Sequence, residues 1–336
     1  MYQSLLVEEP PPAPAARRAA EALFERSGAL GVIRRSRRSH LRILMYHRFD
    51  WVAGAADALA AQCAHLRRCY SPISLEAAAG HLEEGRPFPA NAVTVTVDDG
   101  HADFERIALP IFRAHGIPVT LYLATDFVDG TEWLWFDRIE HALRASTRSV
   151  FVDPLSGETL PLGTRAERSS AFVAVVERAK LVSTAELRRL PSEVARALEV
   201  ELPVAPPAEY APVTWDAVRR MQGEGVEIGA HTRSHPILSR LADRAALEEE
   251  IVGSARRIEE MTGRAPIHFC YPNGRPDDVT PETVAVVRAG GFRTAVTTEP
   301  GLAGPGSDRF RLKRIGAGPE TPPGYFRRMV AGFRIN

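Results

Sequence analysis

The chain has 336 residues, of which 45% are hydrophobic and 25% are charged, a composition typical of soluble globular proteins. Lys plus Arg and Asp plus Glu each number 42, so no overall cationic field favours nucleic-acid binding. The three cysteines lack metal-site spacing, and no apolar run reaches the roughly 18 residues of a membrane span. This length corresponds to about two domains, or to one barrel of alternating strands and helices.

The first 40 residues form an N-terminal extension in this interpretation. They open with a proline-rich stretch that we expect to be disordered. No secretory signal pattern is present, so we expect a cytoplasmic protein. A short helical segment leads to the basic segment 34–42. This segment either contacts an anionic membrane, at its inner face, or is a solvated linker.

Strands and helices alternate from residue 41 onward, which predicts parallel strands joined by right-handed crossovers. The predicted strands lie at 41–47, 93–97, 118–123, 225–230, 267–271, 293–296 and 310–315. The predicted helices lie at 53–68, 75–84, 104–112, 214–221, 243–261, 281–289 and 325–333. The alternation breaks at about 126–210, where a helix is predicted at 136–145, and we interpret this stretch as a helical insertion.

The strand at 93–97 ends at two adjacent carboxylates, Asp98 and Asp99, followed by Gly100. Its five β-branched residues favour a half-buried strand with the three valines on one face and the threonines and Asp98 on the other. Ligands and catalytic groups gather at the carboxyl ends of parallel strands. The alternative is that Asp-Asp-Gly is a turn with a helix cap.

Two histidines, His231 and His235, follow the strand at 225–230. The helical zinc-protease pattern does not fit, because Thr232 stands where that pattern has Glu. The pair therefore belongs to a loop or first helical turn at a strand end, as Asp99 does. Two imidazoles and one carboxylate suit zinc and leave a position open for water. Chance surface histidines are the alternative.

A third strand end carries Tyr271, Pro272 and Asn273 before Gly274. Pro-Asn-Gly is ordinary turn chemistry. In the functional interpretation, backbone N–H groups after Pro272 point into the site and stabilise an oxyanion.

These three elements, in this order, resemble the polysaccharide deacetylase family, also called the NodB-homology family or carbohydrate esterase family 4. Residues 96–100 match the family's Thr-Phe-Asp-Asp-Gly with one aliphatic exchange, and residues 231–235 match its His-Ser/Thr-x-x-His. The resemblance implies a distorted (β/α) barrel of about seven parallel strands. It spans about 41–317, with the 126–210 insertion outside the core pattern and a C-terminal tail at 318–336.

The resemblance also implies roles for individual residues. Asp98 would be the general base, and Asp99, His231 and His235 would hold a divalent metal ion, zinc being the expected one. Tyr271, Pro272 and Asn273 would border the substrate, with the Asn273 N–H supporting the oxyanion. The Tyr-Pro-Asn-Gly sequence is more similar to an exopolysaccharide-processing branch than to chitin or peptidoglycan branches.

Two positions depart from the family pattern. Cys270 stands where the family has an Arg that orients the base, and Arg314 stands where it has the His that serves as general acid. Arginine stays protonated and is a poor proton donor. His47, at the end of the first strand, is our candidate acid, and His101 is its rival. The alternative for His47 is a strand-end histidine satisfied by local hydrogen bonds.

The function expected from this resemblance is metal-dependent removal of N-acetyl groups from an N-acetylhexosamine polysaccharide or oligosaccharide. One alternative is deacylation of a small non-sugar amide. Another is a carbohydrate-binding protein whose activity was lost, against which the intact Asp98, Asp99, His231 and His235 argue. We expect the insertion, with Trp133 and Trp135, beside the active-site mouth. Trp215 and Tyr271 are further candidates for stacking on sugars, or else buried core.

Overall fold

A computed structural model describes residues 28–333 and confirms the expected barrel. The strands are β1 Arg42–Tyr46, β2 Ser71–Pro72, β3 Ala92–Val97, β4 Val119–Leu123, β5 Val150–Val152, β6 Thr159–Pro161, β7 Glu227–Ala230, β8 His268–Cys270, β9 Thr294–Pro300 and β10 Leu312–Gly316. The helices are α1 Ala29–Ser36, α2 Ala55–Cys69, α3 Leu75–Glu83, α4 Leu109–Ala114, α5 Thr125–Val128, α6 Trp135–Ala145, α7 Arg165–Ala179, α8 Thr184–Ala197, α9 Trp215–Gly223, α10 Arg244–Thr262, α11 Pro281–Ala289 and α12 Pro323–Ala331. The proline-rich stretch lies outside the described residues.

Seven parallel strands close on themselves in the order β1, β10, β9, β8, β7, β4 and β3. Closure depends on β1, which pairs with both neighbours: Leu44 lies opposite Val95 of β3 and opposite Ile315 of β10. The short β2 adds to the beginning of β3. Because all seven strands point the same way, their carboxyl ends form one face of the barrel.

The two faces of β3 have different chemistry, as its sequence pattern predicts. Val93, Val95 and Val97 belong to the outer core, which the surrounding helices cover. Thr94 and Thr96 lie on the opposite face and are also buried, and the Thr96 hydroxyl donates to the Leu44 carbonyl at 2.8 Å. Alternation therefore directs the next residue, Asp98, toward the barrel interior.

The insertion builds a hydrophobic core of its own from α6, α7 and α8. Its helical character is confirmed, but it also contains an antiparallel hairpin of β5 and β6 that the sequence analysis did not predict. Each of these strands has only three residues with one buried side chain, too short a pattern to separate from loop. Within the described residues, no helix combines the length and apolarity that crossing a bilayer requires.

Gly229 in β7 provides a test of packing next to the predicted histidine site. A methyl group there would overlap the Tyr122 ring and lie 3.1 Å from the His268 carbonyl oxygen. We expect Gly229→Ala to destabilise the fold by about 1–3 kcal/mol, the usual cost of overpacking. The midpoint of urea unfolding measures this change.

Gly80→Ala is the matched control, because Gly80 lies in α3 with nothing within 4 Å of the place that a methyl group would occupy. It should leave stability unchanged or raise it by up to about 1 kcal/mol through helix propensity. Equal unfolding midpoints for Gly229→Ala and the unsubstituted chain would contradict the packing described here.

Candidate active site

The carboxyl ends of the barrel strands surround a cleft of about 660 Å³. Every catalytic, metal and substrate position predicted from sequence lies at this end of the barrel. The cleft lining includes His47, Asp98, Asp99, His231, His235, Tyr271 and Asn273. Closure of the barrel thus brings together residues that are up to 226 positions apart in the sequence.

Asp99, His231 and His235 form the group that the sequence analysis assigned to a metal. The Nε2 atoms of His231 and His235 lie 3.4 and 3.5 Å from Asp99 Oδ1, and all three side chains are buried. Ligands about 2.0–2.1 Å from a tetrahedral zinc ion are roughly 3.4 Å apart. The spacing of these donors therefore fits zinc.

Hydrogen bonding fixes the tautomer of His231. Its Nδ1 lies 2.7 Å from the Cys270 carbonyl oxygen, which only accepts, so Nδ1 carries the hydrogen. Burial lowers the pKa of His231, but Cys270 and the hydrogen bond with Asp99 outweigh it and hold this pKa well above its ordinary value, so Nε2 also carries a hydrogen and donates to the Asp99 carboxylate. A divalent metal would replace that proton between Nε2 and Asp99 Oδ1, so the donor set also fits a metal by its chemistry.

Ionisation of the other two ligands is consistent with metal binding. Burial, together with the nearby His231, lowers the pKa of His235 to about 3, so this imidazole is neutral. Burial would raise the pKa of Asp99, but the hydrogen bond with His231 and the charges of the nearby histidines outweigh it and hold this pKa well below its usual value. Neutral imidazoles and an ionised carboxylate are the forms that bind metals.

The site loops adopt backbone conformations that side chains rarely take. The φ angles of Asp99, Thr232, His235 and Asn273 are +77°, +66°, +56° and +58°. Such left-handed residues cost about 1–3 kcal/mol each and gather where surrounding contacts enforce them. Sequence patterns do not reveal them, because none of these positions is glycine.

Buried Glu250 on α10 holds the histidine loop. Its carboxylate accepts hydrogen bonds from the backbone N–H groups of Arg233 and Ser234, both at 2.9 Å, and from the Ser234 hydroxyl at 2.6 Å. The His235 N–H donates to the Thr232 hydroxyl at 3.1 Å. The sequence analysis missed Glu250, since its carboxylate resembles any other on an amphipathic helix.

Asp98 is held by Arg314 through two parallel hydrogen bonds. Nη1 donates to Oδ1 at 2.7 Å and Nη2 donates to Oδ2 at 2.8 Å, and both residues are at most 1% exposed. The Cys270 thiol lies 3.4 Å from Asp98 Oδ2. Burial raises the pKa of Asp98, but the Arg314 guanidinium outweighs it and holds that pKa below its ordinary value.

Arg314 therefore has a function that its position in the sequence did not suggest. The sequence analysis noted only that Arg314 occupies the position of the family's acid and that Cys270 replaces the family's base-orienting Arg. In the structure, β10 places the Arg314 guanidinium against Asp98. The small Cys270 side chain leaves room for this guanidinium, and its sulfur lies 3.2 Å from Arg314 Nη2. The sequence held a signal for this pair: Cys270 lacks the Arg that the family has at its position, and Arg314 supplies a guanidinium from another strand.

His47 and His101 differ in how they meet the cleft. The side chain of His47 is 30% exposed, and its Nε2 lies 3.7 Å from Asp98 Oδ2. Burial lowers the pKa of His47, while the charges of Asp98 and Asp99 oppose this shift. His101 is 2% exposed and its Nε2 lies 2.8 Å from Asp137 of the insertion. His47 is thus the histidine placed beside Asp98, and His101 joins the insertion to the barrel.

The turn after β8 is fixed by its side chains. The Tyr271 hydroxyl donates to the Phe310 carbonyl at 3.0 Å, the Asn273 amide donates to Asp278, and the Thr298 hydroxyl donates to the Asn273 carbonyl. Pro272 is buried beside them. Asn273 reaches the cleft, where its role toward an oxyanion stays a prediction.

The insertion forms one wall of the cleft, so its predicted place at the active-site mouth is confirmed. Its lining residues are Trp135, Phe136, Asp137, Phe172, Val176 and Lys180. Trp133 and Trp215 do not line this cleft: Trp133 packs in a separate small core, and the Trp215 indole donates to Asp129 at 2.7 Å. Of the four aromatic residues proposed for stacking, only Trp135 and Tyr271 face the cleft.

Comparison with known proteins gives a consistent picture. The sequence profile of the polysaccharide deacetylase family matches residues 163–295, a shorter span than the 41–317 expected. YxkH of Bacillus subtilis (strain 168), which carries a polysaccharide deacetylase name, is 27% identical over 107 residues. The match covers 32% of this chain and 37% of the length of YxkH.

Solved deacetylase structures share the fold. The deacetylase PplD of Streptococcus pyogenes superposes with a TM-score of 0.58 at 17% identity, over 87% of this chain and 99% of PplD. IcaB from Ammonifex degensii gives a TM-score of 0.57 at 16% identity, over 88% of this chain and 98% of IcaB. The resemblance to the polysaccharide deacetylase family is confirmed. The profile match contains both histidines but not Asp98 or Asp99, which the barrel places beside them.

Arg314→Met tests the support of Asp98. Removing one partner of a buried ion pair typically costs about 3–5 kcal/mol, so we expect lower stability. In the variant that folds, burial without the cation raises the pKa of Asp98. Because the general base predicted at Asp98 acts only when ionised, the acid limb of the pH–rate profile for the predicted amide hydrolysis should move to higher pH.

Arg314→Lys keeps the charge without the two parallel bonds and should shift the acid limb less, which covers the case in which Arg314→Met does not fold. Arg311→Met is the matched control, since Arg311 donates to the Val279 carbonyl at 2.7 Å and does not contact Asp98. Unchanged acid limbs in both Arg314 variants would contradict a role in holding the base.

Proposed function

We propose that this chain is a metal-dependent hydrolase that removes N-acetyl groups from N-acetylhexosamine-containing polysaccharides or oligosaccharides. The observation that carries the proposal is the buried Asp98, held by Arg314, directly beside the Asp99, His231 and His235 cluster. A base and a metal site on adjacent residues suit hydrolysis of an unactivated amide. The family resemblance supports a hydrolase acting on carbon–nitrogen bonds.

Asp99, His231 and His235 would hold the metal, and their donor types and spacing favour zinc. When bound, such an ion lowers the pKa of water and polarises the acetyl carbonyl. Cys270 lies near the cluster, but its thiol is buried against Asp98 and Arg314, and burial raises its pKa. We therefore assign Cys270 to the support of the base and not to the metal.

Asp98 accepts the proton of the attacking water. Arg314 keeps the carboxylate ionised and fixes its two oxygens, so the base needs no reorientation. Amide cleavage then needs a proton on the departing nitrogen, because an amide anion is too basic to leave. Because burial lowers the pKa of His47, this ring starts neutral. It lies 3.7 Å from Asp98 Oδ2 and is open to the cleft, so it takes the proton that Asp98 accepted from water and delivers it to the departing nitrogen. The products are an amine and acetate.

The cleft favours a sugar substrate over a small non-sugar amide. Its volume of about 660 Å³ greatly exceeds that of an acetyl group and corresponds to a ligand of several rings. Trp135 and Phe136 present aromatic surface beside His235, with ring centroids of Phe136 and His235 5.3 Å apart. Aromatic faces stack on the apolar faces of pyranose rings. Tyr271 and Asn273 also line the cleft, with Pro272 between them in sequence, and the Asn273 N–H would support the oxyanion.

The two adjacent aspartates separate metal binding from proton transfer. Asp99→Ala should lose both bound zinc and activity, because a ligand is removed. Asp98→Asn should retain about one zinc per chain and lose a factor of about 10² to 10⁴ in turnover, the usual contribution of a general base. Metal content by mass spectrometry and acetate release from a chitooligosaccharide measure the two effects.

Glu299→Gln is the matched control, since Glu299 lines the cleft outside both groups. It should keep zinc and turnover. Full zinc retention in His231→Ala/His235→Ala protein would refute the metal site, and no acetate release by the zinc-loaded chain would refute the function.

His47→Ala tests the assignment of the acid. The variant should retain zinc and lose most turnover on N-acetyl amides, whose departing nitrogen needs a proton. It should lose much less on an activated acetate ester, whose leaving group needs none. The ratio of the two rates measures the effect, and His101→Ala is the comparison variant. Equal losses on both substrates for His47→Ala would return the role to His101 or to bulk water.

A further inference from the structure

A dense arginine surface lies at the amino end of the barrel, away from the cleft. We define it as the basic face, formed by α1, the segment that leads into β1 and the last turn of α2. Its members are Arg34, Arg35, Arg37, Arg38, Arg67 and Arg68. All except Arg34 are exposed.

Buried Arg42 joins these elements into one surface. Its Nε donates to the Val330 carbonyl of α12 at 2.9 Å, and its Nη1 donates to the carbonyls of Arg37 and His40 at 3.1 and 2.7 Å. The Arg42 guanidinium also lies over the Tyr70 ring, 5.3 Å from the centroid, and Arg34 lies over the same ring at 5.8 Å. Tyr70 directly follows α2, so α1, α2 and α12 meet at this point.

The charges of the basic face converge in space. Burial and the nearby charges of Arg68, Arg327 and Arg34 lower the pKa of His65 to about 4, and these three arginines come from three helical elements. None of the six arginines forms an ion pair with a carboxylate of residues 28–333. Lys plus Arg equals Asp plus Glu over the whole chain. The basic face therefore carries a positive charge, and the rest of the chain carries a net negative charge.

An apolar side chain stands within the basic face. Val32 of α1 is 71% exposed and lies next to Arg34 and Arg35. No residue of Ala29–Ser36 is buried. A purely polyanionic partner gains nothing from an exposed valine. A lipid bilayer accepts apolar side chains below its headgroups while the headgroups pair with arginines.

We propose that the basic face docks this protein on a membrane containing anionic lipid. The direction of the barrel adds a consequence. The segment before β1 and the last turn of α2 lie at the amino ends of the strands, whereas the cleft lies at the carboxyl ends. A docked chain therefore keeps its cleft open to the aqueous side, where a polymer can enter.

Vesicle sedimentation tests this proposal independently of catalysis. At about 0.1 M salt, where the Debye length is about 10 Å, the wild type should sediment with vesicles of phosphatidylcholine containing about 30% phosphatidylglycerol and not with phosphatidylcholine alone. Arg34→Gln/Arg35→Gln/Arg37→Gln/Arg38→Gln should bind anionic vesicles at least about tenfold more weakly, since each arginine contributes to the attraction. Val32→Asp should also weaken binding.

The matched control removes four exposed arginines elsewhere, as Arg189→Gln/Arg196→Gln/Arg256→Gln/Arg264→Gln, and should bind like the wild type. Equal binding by the two fourfold variants would overturn the proposal. So would binding of the wild type to soluble polyglutamate without binding to anionic vesicles, which would indicate a general polyanion surface. Acetate release from a soluble oligosaccharide, measured with and without vesicles, reports the proposed function separately.

Discussion

The ion pair of Asp98 and Arg314 is the interaction on which the rest of the site depends. Both groups are almost completely buried, and an isolated charge in such a place would be neutralised or would prevent folding. Their strands are not neighbours, because β1 lies between β3 and β10. The pair therefore requires β3, β1 and β10 to lie side by side, an arrangement that the pairing of β1 with both neighbours provides. The orientation of Asp98, the proposed base, and its ionised state follow from the same two hydrogen bonds.

The sequence predicted those parts of the structure that local patterns determine. The valine and threonine alternation of β3 indicated which face Asp98 would share, and the helices around the barrel were placed within a few residues. Asp99, His231 and His235 were grouped correctly because strand ends of a parallel barrel meet on one face. The position of the insertion beside that face is confirmed as well, through Trp135, Phe136 and Phe172.

The parts that the sequence did not reveal depend on contacts across the fold. The pairing of Arg314 with Asp98 depends on the register of two strands that are separated by a third. Glu250 holds the loop at Arg233, and Asp137 contacts His101. Nothing in the helices of Glu250 and Asp137 distinguishes them from other acidic residues. Left-handed backbone at Asp99, Thr232 and His235 is enforced by those contacts and contradicts the ordinary preferences of these residue types.

Delivery of the guanidinium by β10 has a consequence for the order of folding. A nascent chain exposes Asp98 early, but the cation that completes the pair emerges from the ribosome 216 residues later. Until then β1 lacks its partner β10, and pairing over such a separation is slow because the loop-closure entropy is lost before the contacts form. The support of Asp98 thus arises when β10 docks, so in a chain that stops before β10 the proposed base has no guanidinium partner.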